Sequence, residues 1–496
     1  MSRIISIALT AVLLLSLLCG CAGGNESGGA GTASENGASQ IPADGGEGEK
    51  AFDPADTSVD GRTHYADIIE AKDFGAWDMV VGNTKNDPGY TFVAEEMTGE
   101  ILNDAIYERN QRIETKYNIT ITENTDGGTS HLKGQVKAGS NDVAMYFILL
   151  DGAASYVHDG YIRSVSSMPA IDLTMPYWDQ GSQKTLAFND ILYFGLNDTC
   201  FNHYESMATL FYNGQIITDF ALDDPYQLFL EDKWTIDAMR TMAETVSADL
   251  NGDGTMKIKS DRFGFAGRNF ENLPWLYASD TNLLAPDETI GGYVYNLNSD
   301  TVISVGEKIV PLVNNADIVY VSTDYAIEAF TEGHVLFMGH QLNMFRSLRT
   351  ADDDYGIICF PGVTGSRETC QVYVQNPYTI MIPSTCFDSE ADRLGLILEA
   401  WAADSYDQLI VPYFEYAVIG KGTRDENSAE MLRIMREIRA YDLCYALDAK
   451  VGIEGWNVAL KKGNGYASNH KKFASKVEKK TEKAVEALSR DPFLGD

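Results

Sequence analysis

The apolar pattern between residues 77 and 150 changes its period repeatedly, and this constrains the fold more than any other feature of the chain. Residues 77–81 (WDMVV) form a short predicted strand, and apolar residues at spacings of four and seven predict a helix over 98–117. Residues 118–122 then alternate like a half-buried strand, a polar segment can hold a short helix, and 142–150 (DVAMYFILL) predicts a buried strand. The order strand, helix, strand, helix, strand favours an α/β lobe with a mostly parallel sheet.

Further elements follow this first lobe. Strands are predicted at 190–196 and 209–212, and helices at 234–246, from 392 onwards and at 470–488. A chain of 496 residues is longer than a single compact core usually holds, so we expect two lobes.

The charge of the chain excludes two classes of partner. Its 38 Lys and Arg residues face 72 Asp and Glu residues, which gives a formal net charge of -34. Such a surface repels nucleic-acid phosphates and anionic lipid head groups. With 44% hydrophobic and 11% aromatic residues, the chain nevertheless has ample material for buried cores.

The N-terminus predicts export. Residues 1–20 combine Arg3 with an apolar run too short to span a bilayer, as in a signal peptide. The run ends in Leu18-Cys19-Gly20-Cys21, which fits a bacterial lipobox, so Cys21 is the expected lipid attachment site; an ordinary signal peptide is the alternative. Residues 21–69 begin with a Gly, Ser and Asn-rich tract that predicts a flexible linker. We therefore expect a lipid-anchored protein on the outer face of the cell membrane.

The remaining cysteines show no metal-binding or redox spacing. They are Cys200, Cys359, Cys370, Cys386 and Cys444, without a CxxC motif. Cys359 with Cys370 is a candidate disulfide, and small buried core residues are the alternative interpretation.

An Asp-rich loop resembles half of a calcium-binding loop. Side-chain oxygens of Asp249, Asn251 and Asp253, a backbone carbonyl at Thr255 and the late carboxylate of Asp261 suit a hard cation. The standard bidentate Glu is missing, so the alternatives are a structural calcium site and a turn that binds nothing. A strand rather than a helix is predicted to follow.

No catalytic motif is present. The sequence lacks HExxH, GxSxG, GxxxxGK[ST] and GxGxxG, so we expect no enzymatic activity and no required cofactor. Aromatic and amide residues do recur in predicted loops, and together they can stack on a sugar ring and bond its hydroxyls. These residues are Trp178, Tyr204, Trp275, Gln341, Asn343 and Tyr378.

The order of several landmarks resembles bacterial extracellular solute-binding lipoproteins of the family 1 type, which deliver sugars to ABC importers. The landmarks are residues 95–100 (EEMTGE), 103–107 (NDAIY), 109–110, 171–173 (IDL), 176–179 (PYWD), 209–213 (TLFYN), 233–235 (KWT), 261–264 (DRFG), 330–338, 354–357 and 361.

This resemblance implies a type II periplasmic-binding-protein-like clamshell, with two α/β lobes of mixed sheets joined by hinge strands near Asn197 and Asn376. Lobe 1 would hold 70–197 plus 376–415, and lobe 2 would hold 198–375 plus 416–496. The residues expected to contact ligand are Glu95, Glu96, Trp178, Asp198, Tyr204, Trp275, Gln341 and Tyr378.

The function implied is capture of a carbohydrate, expected to be an oligosaccharide, by a monomer in the cleft between its two lobes, and its delivery to permease subunits of an ABC importer. A ligand-sensing adaptor for a membrane histidine kinase and a binder of a non-sugar solute are the main alternatives. An extracytoplasmic glycoside hydrolase is a further one.

Overall fold

The computed structural model describes residues 64–83, 92–267, 272–322, 325–348, 354–410, 413–414 and 426–494. The predicted signal peptide, Cys21 and the linker up to residue 63 lie outside the described residues. Within the described ranges, every helix is too short or too polar to cross a membrane.

Two five-stranded sheets organise these residues. The strands in chain order are β1 Trp77–Gly82, β2 Ile119–Asn124, β3 Met145–Leu149, β4 Ile162–Arg163, β5 Ala208–Asn213, β6 Phe263–Gly267, β7 Leu284–Asp287, β8 Gly292–Tyr295, β9 Val319–Val321, β10 Val335–Gln341, β11 Tyr355–Ile358, β12 Val372–Val374, β13 Tyr378–Pro383 and β14 Arg439–Tyr441. Sheet one has the order β2-β1-β3-β13-β4, and sheet two has the order β11-β5-β10-β6-β9. Two small pairs, β12-β14 and β7-β8, complete the strands described.

Both sheets are mixed, as predicted for the fold. In sheet one, β1 runs parallel to β2 and β3, whereas β13 runs antiparallel to β3 and β4. In sheet two, β6 runs parallel to β10 and β9, whereas β5 runs antiparallel to β10 and β11. The expectation of a mostly parallel first sheet is therefore wrong for its β13 and β4 half. Strand β13 follows β12 of the small β12-β14 pair, so no crossover helix from β3 forces it to run parallel to that neighbour.

Helices cover the sheets. They are α1 Tyr65–Ile68, α2 Ile101–Tyr117, α3 Thr129–Ala138, α4 Ala153–His158, α5 Gln180–Leu186, α6 Asn202–Glu205, α7 Gly214–Asp219, α8 Pro225–Leu230, α9 Ile236–Val246, α10 Pro274–Tyr277, α11 Asp300–Val313, α12 Ala326–Thr331, α13 Phe345–Leu348, α14 Asp388–Gln408, α15 Glu426–Glu437, α16 Leu443–Ala446, α17 Val451–Lys462 and α18 Tyr466–Leu488. Local sequence explains their ends. Glu100 accepts a hydrogen bond from Leu102 N at the start of α2, and Asn118 ends that helix in the left-handed conformation (φ 49°).

The strand predicted at 190–196 is wrong. Asn189 and Asp190 both adopt positive φ values (51° and 62°), and they make a tight turn in which Phe188 and Ile191 bridge each other. Only an isolated bridge from Gly195 to Ile380 follows. Short polar side chains tolerate this backbone conformation, which interrupts an otherwise apolar run.

The core of sheet one lies under α2 and α14. Phe92 stacks on Phe147 with 3.8 Å between ring centroids and meets Trp401 edge-on. The fully buried Arg109 donates to Phe92 O (3.0 Å) and to Thr199 O (3.0 Å), and it lies over the Trp401 ring. This arginine therefore connects the helix layer with the segment that leaves sheet one.

Helix α1 belongs to the folded body. The Tyr65 ring packs edge-on against Tyr177 and Tyr406, and Ala66 N donates to Asp407 Oδ2 (3.2 Å). The predicted linker therefore ends before residue 69, because these aromatic contacts hold its last residues against α14.

We predict opposite effects for alanine at two helical glycines. A Cβ at Gly395 in α14 would lie 2.0 Å from Pro169 O, whereas a Cβ at Gly134 in α3 meets nothing within 4 Å. Gly395→Ala should lower the free energy of unfolding by about 2 kcal/mol or more, because backbone must move. Gly134→Ala should raise it by about 0.5 to 1 kcal/mol, since alanine favours the helix. Urea unfolding of both variants checks this, and equal stability would contradict the packing described.

Candidate functional site

The chain passes between the two sheets along two adjacent segments, 195–207 and 374–378. Gln375 N donates to Ser206 O (2.9 Å), and an isolated bridge between Met207 and Val374 joins the segments in place of a continuous strand ladder. The family resemblance places hinges near Asn197 and Asn376, and these residues lie in the first and the second segment respectively. The exact lobe boundaries remain a prediction.

A buried ion pair lies beside the first segment. Arg439, at the start of β14, pairs with the carboxylate of Asp179, the N-cap of α5. The Arg439 guanidinium also stacks on the Tyr204 ring, 4.4 Å from its centroid. Tyr204 Oη in turn donates to Asp198 Oδ1 (2.6 Å). Two of the predicted ligand contacts, Asp198 and Tyr204, thus bond each other in a network that joins the first crossing segment to α5 and β14.

Burial shifts the pKa values of this network. Desolvation raises the pKa of Asp198 to about 6, although nearby Arg436 opposes the rise. Desolvation, and then the charge of Arg439, lower the pKa of His203 to about 3. For Asp179 burial alone would raise the pKa, but the Arg439 charge outweighs it and the net shift is downward. At neutral pH the imidazole is therefore neutral while the carboxylates are ionised.

The neutral imidazole of His203 is only partly satisfied. Its Nε2 lies 3.9 Å from Asp198 Oδ1, which is too long for a hydrogen bond, and finds no hydrogen-bond partner among the described residues. The His203 and Tyr204 rings lie 4.0 Å apart, and Tyr204 is only 2% exposed, so its ring is covered by protein.

A cavity of about 250 Å³ opens at the carboxyl ends of the parallel strands β6 and β9. Trp275 meets Phe360 edge-on with ring centroids 5.1 Å apart, and Phe265 packs against the same indole. The lining residues are Phe265, Asn272, Trp275, Val313, Asn314, Val321, Phe360, Asn457, Leu460 and Lys461. In open α/β sheets ligands bind at this edge of the strands.

Amide groups supply the polar part of the cavity wall. Asn314 Nδ2 donates to Leu460 O (2.9 Å), and Trp456 Nε1 donates to Asn272 O (3.3 Å). The Asn457 Oδ1 atom is buried and has no hydrogen-bond partner among the described residues. A buried amide oxygen without a partner is costly, so a ligand hydroxyl that reached it would gain a hydrogen bond.

The other predicted ligand residues are scattered. Trp178 is fully buried in the core of sheet one, where its Nε1 donates to Glu399 Oε2 (2.9 Å), and this placement gives its ring no open face. Glu95 and Glu96 are exposed in the turn before α2. Gln341 ends β10 and Tyr378 begins β13, both next to the crossing segments.

The Asp-rich loop is closed by its own backbone. Asp249 accepts hydrogen bonds from Gly252 N (2.8 Å) and Gly254 N (2.7 Å), and Asp253 pairs with Lys257. Asp261 accepts from Leu250 N (3.0 Å) and leads directly into β6, so the strand predicted after the loop is confirmed. Among the described residues no group of three or more His, Cys, Asp or Glu side chains is close enough to hold a metal ion. The calcium site stays a prediction.

Solved structures share this fold. An ABC substrate-binding protein from Listeria monocytogenes in complex with cycloalternan has a TM-score of 0.53 at 11% identity, covering 82% of this chain and 98% of its own. The cyclic alpha-maltosyl-1,6-maltose binding protein from Arthrobacter globiformis has a TM-score of 0.53 at 12% identity, covering 84% and 100%. Maltose-bound MalE3 of T. maritima has a TM-score of 0.51 at 14% identity, covering 81% and 99%. No curated protein sequence matches the chain.

The two mixed sheets joined by a double crossing define a two-lobed solute-binding fold of the maltose-binding-protein type. The sequence profile described as bacterial extracellular solute-binding protein matches residues 108–394, more than half of the chain. The chain therefore belongs to the bacterial extracellular solute-binding protein family. Members of this family act outside the cytoplasm as binding proteins.

The sequence analysis did not predict several residues of the cavity beside Trp275 and of the buried network around Arg439. Asn457 and Lys461 lie on α17, far along the chain from the strands whose cavity they line, and no local pattern points to them. Arg436 and Arg439 did carry a signal, because they stand three residues apart among buried apolar residues at the end of α15 and the start of β14. Charges that are buried among apolar residues need partners.

We predict that His203 makes the protein sensitive to acid. Its folded-state pKa of about 3 lies below the ordinary value of 6.5, so its contribution to stability is complete above pH 6.5 and is lost as pH falls toward 3. The raised pKa of Asp198 acts in the opposite sense between pH 6 and 3.8. His203→Gln should therefore lose less unfolding free energy than the wild type between pH 6.5 and 4.5, by about 2 to 3 kcal/mol.

Urea unfolding at a series of pH values measures this difference. His158→Gln is the matched control, because His158 is exposed on α4, and it should follow the wild-type profile. Parallel profiles for the wild type and His203→Gln would contradict the buried, neutral state of His203.

Proposed function

We propose that this protein captures a carbohydrate between its two lobes, with one part of the ligand in the lobe 2 cavity beside Trp275, and delivers it to an ABC importer. The observation that carries the proposal is the combination, in one cavity, of aromatic rings with an amide oxygen that has no protein partner. The neighbours described above, bound to cycloalternan and to maltose, support the same class of ligand.

The cavity chemistry fits a sugar ring. The Trp275, Phe265 and Phe360 side chains offer apolar surface for the C–H face of the ring, while Asn457 Oδ1 accepts a hydrogen bond from a hydroxyl. The volume of about 250 Å³ is just below the usual range of about 300 to 1,000 Å³ for ligand pockets. We therefore assign one sugar unit to this cavity, with further units of an oligosaccharide extending from it.

The crossing segments supply the hinge in this proposal. Lobe 1 comprises 70–197 plus 376–415, and lobe 2 comprises 198–375 plus 416–496. Few backbone bonds join the two crossing segments, so rotation about them disturbs little secondary structure. Closure on a ligand produces a shape that permease subunits can recognise. Gln341 and Tyr378, which flank the crossing, are proposed to contact ligand only in the closed form.

We further propose that the mature chain is anchored through lipid on Cys21, on the sequence evidence of the lipobox. Fractionation of cells into membrane and medium decides between the lipidated and the ordinary exported form. A sensing role beside a membrane histidine kinase would use the same binding event, and loss of uptake on deleting the gene separates transport from sensing.

We predict that a glycan from a panel of mono- and oligosaccharides raises the melting temperature and that Asn457→Ala weakens its binding about tenfold. The expected loss corresponds to one hydrogen bond to a buried acceptor, about 1.4 kcal/mol. Titration calorimetry on both proteins measures the effect. Asn298→Ala, at an exposed asparagine in the turn before α11, is the matched control and should bind like the wild type.

Two results would contradict this proposal in different ways. If no glycan raises the melting temperature, the carbohydrate class is contradicted, and amino acids, peptides and polyols become the solutes to test. If a glycan binds and Asn457→Ala leaves its affinity unchanged, the carbohydrate class stands but the ligand lies outside this cavity.

We propose in addition that the Asp-rich loop takes up calcium as a structural ion. The side-chain oxygens of Asp249, Asn251 and Asp253 and the carbonyl of Thr255 are donors that calcium prefers, and Asp261 adds a carboxylate. Calcium would have to displace Lys257 from Asp253 and free Asp249 from its backbone bonds. We therefore expect the loop to bind calcium weakly.

Saturating calcium should raise the melting temperature of the wild type by about 2 to 4 °C and leave Asp249→Ala unchanged. Asp287→Ala is the control, because Asp287 closes a similar turn by accepting from Thr289 N (2.9 Å) outside the loop. It should respond to calcium like the wild type. An unchanged melting temperature in the wild type would identify the loop as a turn that binds no ion.

A further inference from the structure

Two buried thiols lie next to each other in sheet two's half of the molecule. The Sγ atoms of Cys359 and Cys370 are 3.8 Å apart, and the residues are 1% and 7% exposed. They flank the segment that connects β11 with β12. Cys200, Cys386 and Cys444 are also buried thiols.

The backbone holds both thiols in place. Trp234 Nε1 donates to Cys359 O (2.9 Å), and Ile236 N donates to Gly362 O (3.0 Å). At the other end, Gln371 N donates to Tyr277 O (3.3 Å), directly after Cys370. Because the segment is fixed on both sides, the two sulfurs stay close without any need for the backbone to rearrange.

We propose that Cys359 and Cys370 form a disulfide when the chain folds outside the cytoplasm. Extracytoplasmic compartments allow disulfides to persist, and the family acts there. The sulfur separation must shorten from 3.8 Å to about 2.05 Å to form the bond.

Thiol–disulfide exchange with an oxidised disulfide reagent or oxidoreductase completes the reaction. One cysteine thiolate attacks the oxidant's S–S bond, forming a mixed disulfide and releasing one thiolate of the oxidant. The second cysteine thiolate then attacks the protein sulfur of the mixed disulfide and expels the other half of the oxidant. Two thiol protons and two electrons leave the protein, and the oxidant departs as two thiols.

Burial determines when this exchange happens. The neighbouring Cys370 thiol and desolvation raise the pKa of Cys359, so the reactive thiolate is suppressed in the folded state. Oxidation therefore accompanies folding, and the finished bond is shielded from reductants. It also fixes Phe360, the residue after Cys359, in the wall of the cavity.

Peptide mapping of the full chain tests the proposal. The protein is exported, or refolded with oxidised and reduced glutathione, then alkylated in denaturant without reduction and digested with trypsin. Cleavage at Arg367 separates peptides 350–367 and 368–393, which carry Cys359 and Cys370 respectively. We expect the two peptides to be joined, with fragmentation placing the bond on Cys370 rather than on Cys386 of the same peptide. Alkylated Cys359 and Cys370, or a bond to Cys386, would overturn the proposal.

Two variants sharpen the result. Cys359→Ser should leave Cys370 alkylated and lower the melting temperature by about 3 °C or more, whereas Cys386→Ser should keep the bond. If Cys359→Ser fails to fold, the wild-type map still decides. The peptide map does not depend on glycan binding, so absence of the Cys359–Cys370 bond would not contradict the proposed function.

Discussion

The ion pair between Asp179 and Arg439 joins α5 to β14 and is the interaction on which the order of the first crossing segment depends. Both side chains are almost completely buried, so each would be very costly without the other. Removal of one partner of such a pair typically costs about 3 to 5 kcal/mol. The pair also presents the guanidinium plane to Tyr204 and thereby orders the hydroxyl that bonds Asp198. Buried charge, rather than a strand ladder, therefore fixes the first crossing segment.

The cavity depends on a second constraint, close backbone approach in sheet two. A Cβ at Gly339 would lie 3.0 Å from Phe265 Cζ and 3.2 Å from Phe360 Cζ, and a Cβ at Gly267 would lie 2.8 Å from Gly339 O. The two glycines leave room for the aromatic rings that line the cavity. Gly267 and Gly339 therefore allow both the close pairing of β6 with β10 and the placement of the aromatic rings that line the cavity.

Much of the fold could be predicted from local pattern. Apolar runs and periods predicted β1, α2, β2, β3, β5 and the last helix, and β6 was predicted as the strand that follows the Asp-rich loop. The reversed β13 could not be predicted this way, because its partner strand lies more than two hundred residues away. The failed strand at 190–196 shows that two left-handed residues, Asn189 and Asp190, override an apolar run.

The site was less accessible to sequence reasoning. Trp275 was predicted from residue type alone and does line a cavity, whereas Trp178, chosen by the same reasoning, packs in a core and bonds Glu399. Residue type cannot distinguish these two tryptophans, because both are buried, at 0% and 2% exposure, and only tertiary packing places a cavity beside Trp275. Asn457 became visible only when α17 met the ends of β6 and β9 in space.

The central claim is that a sugar binds against Trp275. A crystal structure of the chain with the glycan that gives the largest melting shift tests it most directly. The account predicts a sugar ring in contact with the Trp275 side chain and a hydroxyl within hydrogen-bond distance of Asn457 Oδ1. A glycan held entirely outside this cavity, with Asn457 Oδ1 still lacking a ligand partner, would contradict it.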